Sequence, residues 1–366
     1  MRRILGILLG LLLIGGVAVV VLVREQGPHT TATKTVRGVI GSEKSDFFRD
    51  PDVVKALAAQ GYTVKTETSG SWAMERLALR EFDFAFPSSS EPAKEIEAAA
   101  GVQGAQETRP FYSPLVVIAR AGAARVLTDN GLARKTGKNS GTLLMGPFLK
   151  AAAEDRTWQQ LSGSAAHPEL TGTVFVKTTD PATSNSGALF LAVASAVANG
   201  GNIVADDAAI TRTAPLMHKL ISVQGALEPS TDDPFRAFIS GSGEPLILVY
   251  ESQVASLLMQ KQGAGNVADM VVLYPDTTVN TAHTFVPIGD GARELGTLLV
   301  TDPTLRALAL RHGFRPQDGV PEFTAATAPH AAYLNPGLTG IRQVGTPTVK
   351  NLMALAARAK GQGDTP

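Results

Sequence analysis

The chain has 366 residues, 44% hydrophobic and 18% charged, with 33 Lys and Arg balanced by 33 Asp and Glu. A single core seldom grows beyond roughly 250–300 residues, so this length predicts one large or two ordinary domains. Balanced charge argues against a general nucleic-acid binder. The absence of cysteine excludes disulfides, thiolate nucleophiles and a lipid-modified N-terminal cysteine, and 6% aromatic residues disfavour a stacking platform for sugars or bases.

Residues 4–23 form an unbroken apolar run. At about 1.5 Å rise per residue, a helix of that length spans a roughly 30 Å hydrocarbon core. Arg2 and Arg3 precede the run, whereas Arg24 and Glu25 cancel each other after it. The positive-inside rule then sends the rest of the chain outwards. The expectation is a single-pass signal anchor over residues 1–24 in the cell membrane, with the soluble part extracytoplasmic. A cleavable signal peptide competes with this reading, but the run is longer than the usual apolar region and lacks an A-x-A site. Residues 25–34, small and polar, read as a tether.

Strand-like segments at 35–41, 62–68 and 83–86 alternate with helices predicted at 52–60, 71–80 and 92–100. This alternation implies a parallel sheet with helices on its faces. The extended run 108–120, carrying Pro110 and Pro114, is too long for one such strand and reads as a passage into a second lobe. That lobe has strands predicted at 173–177, 245–250 and 270–274, a strongly apolar helix at 186–198, and another helix at 252–262. Residues 282–288 carry the chain back. Helices follow at 293–300 and 304–311, then a Pro- and Gly-rich stretch to 346. A last amphipathic helix at 349–360 has Leu352, Leu355 and Ala356 on one side. Lobe 1 is thus expected to comprise 35–114 and 283–366, lobe 2 to comprise 115–282, and two crossings to join them.

In open α/β sheets ligands lie beyond the carboxyl ends of strands, where helix N-termini point outwards. The junctions there read GSEKS at 41–45, SGS at 69–71, PSSSE at 87–91, TTDPATSNSG at 178–187, and Glu251-Ser252. Helix capping explains hydroxyls at any one of them. Four hydroxyl-bearing junctions on facing sheet edges would instead form a neutral, hydrogen-bonding cleft suited to an anion or small polar ligand.

These stretches resemble the type 2 periplasmic (extracellular) solute-binding proteins, particularly the molybdate-like branch and the solute-binding modules found beside von Willebrand A domains. The resemblance rests on GSEKSDFF at 41–48, TSGSWAMERL at 68–77, FAFPSSSEPA at 84–93, FYSPLVVIAR at 111–120, DPATSNSGALFLAVA at 180–194 and GFRP at 313–316. It implies an α/β, two-lobed fold with two hinge crossings that closes on a ligand without chemistry, and it requires no cofactor or metal. The ligand residues it implies are Ser42, Glu43, Ser71, Ser88, Ser113, Ser184, Asn185 and Ser186. Glu43 and Lys44 depart from the plain hydroxyl loop that an oxyanion site would prefer.

Other chemistry is weaker. No G-x-S-x-G pentapeptide marks a hydrolase nucleophile. His167, His218, His283 and His312 are scattered and read as surface or structural residues. Residues 131–140 depart from a phosphate-binding loop in spacing and in Asn139. Asp206-Asp207, Asp232-Asp233 and Asp302 lack calcium-loop spacing and read as solvated loop residues. The expected function is an anchored solute-binding protein, with an ABC-type transporter permease as its candidate partner. The alternative is a sensory or structural module that binds an envelope or membrane protein; an enzyme is the weakest class.

Overall fold

The computed structural model describes residues 33–260, 267–279 and 281–362. The apolar run at 4–23 and nearly all of the tether lie outside them. Among the described residues no helix is long and apolar enough to cross a membrane.

The chain opens with β1 (Lys34–Ile40), α1 (Ser45–Arg49), α2 (Pro51–Ala59), β2 (Tyr62–Thr68) and β3 (Phe84–Phe86). Next come α3 (Ser90–Ala100), β4 (Thr108–Tyr112), β5 (Leu115–Arg120), α4 (Ala121–Asp129), β6 (Ala133–Lys135), β7 (Ser140–Leu143) and α5 (Met145–Ala153). The middle holds α6 (Asn185–Ala198), α7 (Asp207–Ser222), α8 (Asp232–Ile239), β8 (Leu246–Tyr250), α9 (Glu251–Gln260), β9 (Met270–Pro275) and β10 (Thr277–Thr278). The last part is β11 (Ala282–Pro287), α10 (Arg293–Thr301), α11 (Pro303–Arg311), β12 (Arg315–Pro316), α12 (Val320–Thr327), β13 (Arg342–Gln343) and α13 (Val349–Ala359).

Two sheets define two lobes. The first has the order β12-β4-β11-β3-β1-β2 and the second β6-β7-β9-β5-β8. Both are mixed rather than purely parallel: β1 runs parallel to β2 and β3, whereas β11 is antiparallel to β3 and β4. A long meander into the other lobe brings the chain home reversed, which sets β11 against its neighbours. The chain passes between lobes at Ser113-Pro114 and again just before β11.

Strand alternation sorts the second lobe into two cores, one on each face of its sheet. Leu115, Val117 and Ala119 of β5 face one cluster with Leu246 and Leu248, while Val116 and Ile118 face another with Ile247 and Val249. Burial on both faces explains why β5 and β8 read as continuous apolar runs. The first lobe concentrates its aromatics instead. Phe47, Phe48, Phe84, Phe86, Phe111, Phe285 and Phe314 form one cluster, with Phe84 stacked on Phe285 at 4.7 Å and Phe111 on Phe314 at 4.2 Å.

Three expectations are corrected. Residues 71–80 are not an α-helix but two 3-10 turns, Met74–Arg76 and Leu79–Glu81. Trp72 and Met74 are both buried, and one α-helix would point them about 200° apart. The segment 173–177 is extended, yet it makes only single bridges, Thr173 to Thr157 and Lys177 to Ile247. The C-terminal part does not all belong to lobe 1. β13 pairs with β10, and α13 packs on α6 and α7 through Leu355, Ala356 and Ala359. The apolar side of that helix finds its cover on lobe 2, so the tail makes a third crossing.

Candidate functional site

The strand-to-helix junctions of both lobes meet in the gap between them. Ser42, Glu43, Ser71, Ser88, Ser184, Asn185 and Ser186 surround one small cavity of about 20 Å³, together with Thr231 and Tyr250. Ser113 is not among them. Its hydroxyl lies in the first crossing, where it accepts the Ser252 N–H at 2.9 Å, so its role is to join lobes. Glu251 is also withdrawn from the cleft, buried in a bidentate ion pair with Arg315 and touched by the Tyr274 hydroxyl. Arg315 additionally donates to the carbonyls of Asn335 and Pro336. The arginine of the late GFRP stretch thus ties β12, α9 and the C-terminal tail together.

The junction hydroxyls are not consumed as caps. Ser89 precedes α3 and Ser184 precedes α6, and neither side chain caps its helix. They bond across the gap and to each other instead. The Ser89 hydroxyl donates to Asn185 Oδ1 at 2.8 Å, and Asn185 Nδ2 donates to the Tyr250 hydroxyl at 3.1 Å. Ser186 Oγ lies 2.8 Å from Thr179 Oγ1 and 3.2 Å from Ser184 Oγ. The Trp72 N–H donates to the Thr183 carbonyl at 3.0 Å, a backbone bond between lobes. That approach requires Gly70, because a Cβ there would collide with the same carbonyl oxygen.

Glu43 and Lys44 sit at the centre of the arrangement. The Glu43 carboxylate accepts from the Ser88 hydroxyl at 2.6 Å and from Lys44 Nζ, and its side chain is 4% exposed. Lys44 is wholly buried; its ammonium donates to Ser88 Oγ at 3.2 Å and lies 3.0 Å from His283 Nδ1. Burial lowers the Lys44 pKa, with the Glu43 charge opposing that shift. His283 is held well below its ordinary value by burial and then by Lys44, so it is neutral, and its Nε2 has no partner among the described residues. The carboxylate therefore occupies the place where hydroxyls and an amine would otherwise cradle an anion.

Beside this cavity, across Ser42 and Glu43, the gap widens into an inter-lobe compartment of about 510 Å³. Lobe 1 contributes Asp46 and His312, and lobe 2 contributes residues of α8 and the start of α9. Gln253 Nε2 donates to Asp232 Oδ1 at 3.0 Å. Burial, then the Glu43 charge, raises the Asp232 carboxyl to about 6. Asp232 is therefore not a solvated loop residue. Asp206 and Asp302 cap α7 and α11. Among the described residues no group of three or more His, Asp or Glu could hold a metal ion.

Lys44, Ser89, Thr231, Asp232 and His283 are the residues that junction reasoning missed. Lys44 and Ser89 stand within the junction motifs, but 239 residues separate Lys44 from His283. Nothing local in the sequence couples that pair.

No protein-family profile matches the chain, and no curated protein does. Solved structures do. The sulfate-binding protein SubI from Mycobacterium tuberculosis H37Rv superposes with a TM-score of 0.55 at 15% identity, over 90% of this chain and 96% of that one. Iron-bound HitA from Pseudomonas aeruginosa gives 0.54 at 12% identity, over 89% and 99%. AfuA from Actinobacillus pleuropneumoniae, a periplasmic binding protein with fructose-6-phosphate bound, gives 0.54 at 12%, over 90% and 97%. The chain has the two-lobed α/β fold of the periplasmic solute-binding proteins.

Proposed function

We propose that the folded part is a solute-binding receptor whose lobes close on a small polar ligand. The observation that carries this reading is the convergence of four strand-to-helix junctions on one inter-lobe gap, with hydroxyls left uncommitted by helix capping. Contacts made only when the lobes meet would favour the closed state. The structural neighbours, described with sulfate, iron and fructose-6-phosphate as what they bind, support the capture of a small solute, and a membrane permease as partner is part of the same proposal. An outward-facing anchor at residues 4–23 belongs to the same proposal. So does the molybdate-like placement, which rests on the motif at 180–187 rather than on the cleft, where Glu43 opposes an oxyanion.

Binding without chemistry is also part of the reading. Ser88 and Lys44 are within reach of each other, as a serine nucleophile and its base would be. The Ser88 hydroxyl nevertheless donates to Glu43, and Lys44 donates to Ser88 Oγ instead of taking its proton.

A thermal-shift screen of the full chain against sulfate, molybdate, mannitol and phenethylamine tests the proposal. A ligand at 100 times its Kd adds about 2.7 kcal/mol, a rise of several degrees in Tm. The receptor reading falls if no solute shifts Tm and none contracts the particle in small-angle scattering. One observation favours the alternative module that binds an envelope protein: Trp72 of lobe 1 is buried with Ala188, Ala192 and Leu352, so an apolar joint holds the lobes without a ligand. Copurification of a large complex with non-transport partners, alongside a silent screen, would select it.

A further inference from the structure

The compartment beside the hydroxyl cavity differs from it in charge, size and lining. Glu43, Asp46 and Asp232 place three carboxyl groups along it, from both lobes. Phe235, Ile239 and Leu257 form apolar walls, and about 510 Å³ lies within the range of sites that enclose a small organic molecule. Two cations oppose these three acids, Lys44 paired with Glu43 and Arg236 on α8. Arg236 is exposed, and His312, whose pKa is lowered by burial, is engaged with Asp50 at 2.8 Å.

A second observation points independently to a ligand. Ser252 lines the compartment, and its hydroxyl is buried with no hydrogen-bond partner among the described residues. A buried hydroxyl left unmatched destabilises the fold, and a donor entering the compartment would relieve that cost. The same donor, if positive, would offset the burial and the Glu43 repulsion that together raise Asp232 to about 6.

We infer that the receptor's solute is an organic cation, an ammonium group on an apolar body, held in this compartment between Glu43, Asp46 and Asp232 with Ser252 accepting one of its hydrogen bonds. The inference rests on the receptor reading above and names its ligand class. The ammonium faces the acids contributed by both lobes, so its charge neutralises a repulsion that grows as the lobes approach. The apolar body covers Phe235, Ile239 and Leu257. The hydroxyl cavity then acts as the inner wall of the site. Its own anion, Glu43, is shared between Lys44 and the incoming cation. An inorganic oxyanion is excluded there by charge.

Calorimetric titration of the full chain with phenethylamine, sulfate and mannitol tests the inference. Phenethylamine is expected to bind. Asp232→Asn and Asp46→Asn should each weaken it about tenfold, Ser252→Ala should weaken it by a smaller factor, and Asp232→Glu should retain most affinity. Asp46 is exposed, so its variant reports on charge even if a change at Asp232 perturbs folding, and unaltered circular dichroism checks both. Binding of sulfate or mannitol without phenethylamine overturns the inference and leaves the receptor reading intact. Phenethylamine binding that neither carboxyl variant weakens also overturns it. Silence toward all three overturns it, and joined to a silent thermal-shift screen removes the receptor reading as well.

Discussion

Asp232 holds its carboxyl group where burial and the charges of Glu43, Asp46 and Asp233 oppose ionisation, with Arg236 and the Gln253 amide as partial compensation. Its raised value, about 6 against an ordinary 3.8, has a consequence for stability. Between those limits the folded chain keeps a proton that the unfolded chain releases. Stability therefore falls as pH rises from about 4 to 6 and stays at the lower level above. Asp232→Asn should remove that slope and stabilise the chain at pH 7 by about 1–2 kcal/mol, allowing for partial exposure. Urea denaturation at several pH values reads it, and an unchanged slope in the variant would refute the assignment. A cleft-lining group that weakens the fold is what the proposed cation site would require. Lys44 follows another logic. Its burial is tolerable because Glu43 is its sequence neighbour, and two adjacent charges inside a hydroxyl-bearing junction stand out from the sequence alone. The contact with His283 does not, since an isolated histidine carries no sign of what faces it.

At the level of elements, α6 shows why the junctions were legible and where that legibility stopped. Its apolar run, closed off by Asp180, Pro181 and a string of hydroxyls, predicts a buried helix that starts near Ser186, and the helix spans Asn185–Ala198. What the pattern hides is how tightly its first turn sits on the preceding loop. A Cβ at Gly187 would strike the Thr179 carbonyl oxygen and crowd the nitrogen of Pro181. Helix propensity alone makes Gly→Ala stabilising by about 1 kcal/mol. Overpacking costs about 1–3 kcal/mol, and backbone atoms cannot yield as side chains can. We expect Gly187→Ala to lower the urea midpoint, and a rise would show that the loop moves aside. The segment 71–80 departs from its predicted helix for a related reason. Its composition suits a helix, but the Trp72 N–H is bonded to the other lobe and Trp72 and Met74 are both buried. Tertiary contacts overrule local preference there.

For the molecule as a whole, alternation of strands and helices foretold two lobes, and the long extended runs foretold two of their connections. The third was hidden because an amphipathic helix reveals that it has an apolar side, not which surface covers it. Removing residues 345–366 should uncover Met217, Leu220 and Ile221 on α7 and leave Trp72 without Leu352. The expected result is a lower, broader thermal transition and red-shifted tryptophan emission. An unchanged transition would mean that the helix is an ornament of lobe 2. Arg315 and Glu251 fasten the same tail at its other end.

A door on two adjacent pivots can swing as wide as its frame allows, but this one also carries a leash. In the proposed receptor, the stretch that leaves lobe 1 after β12 and reattaches through β13 and α13 would limit how far the halves gape. Molecules too bulky for that aperture would then be turned away before charge or hydrogen bonding has any say. The truncated chain would lose this sieve together with its stability.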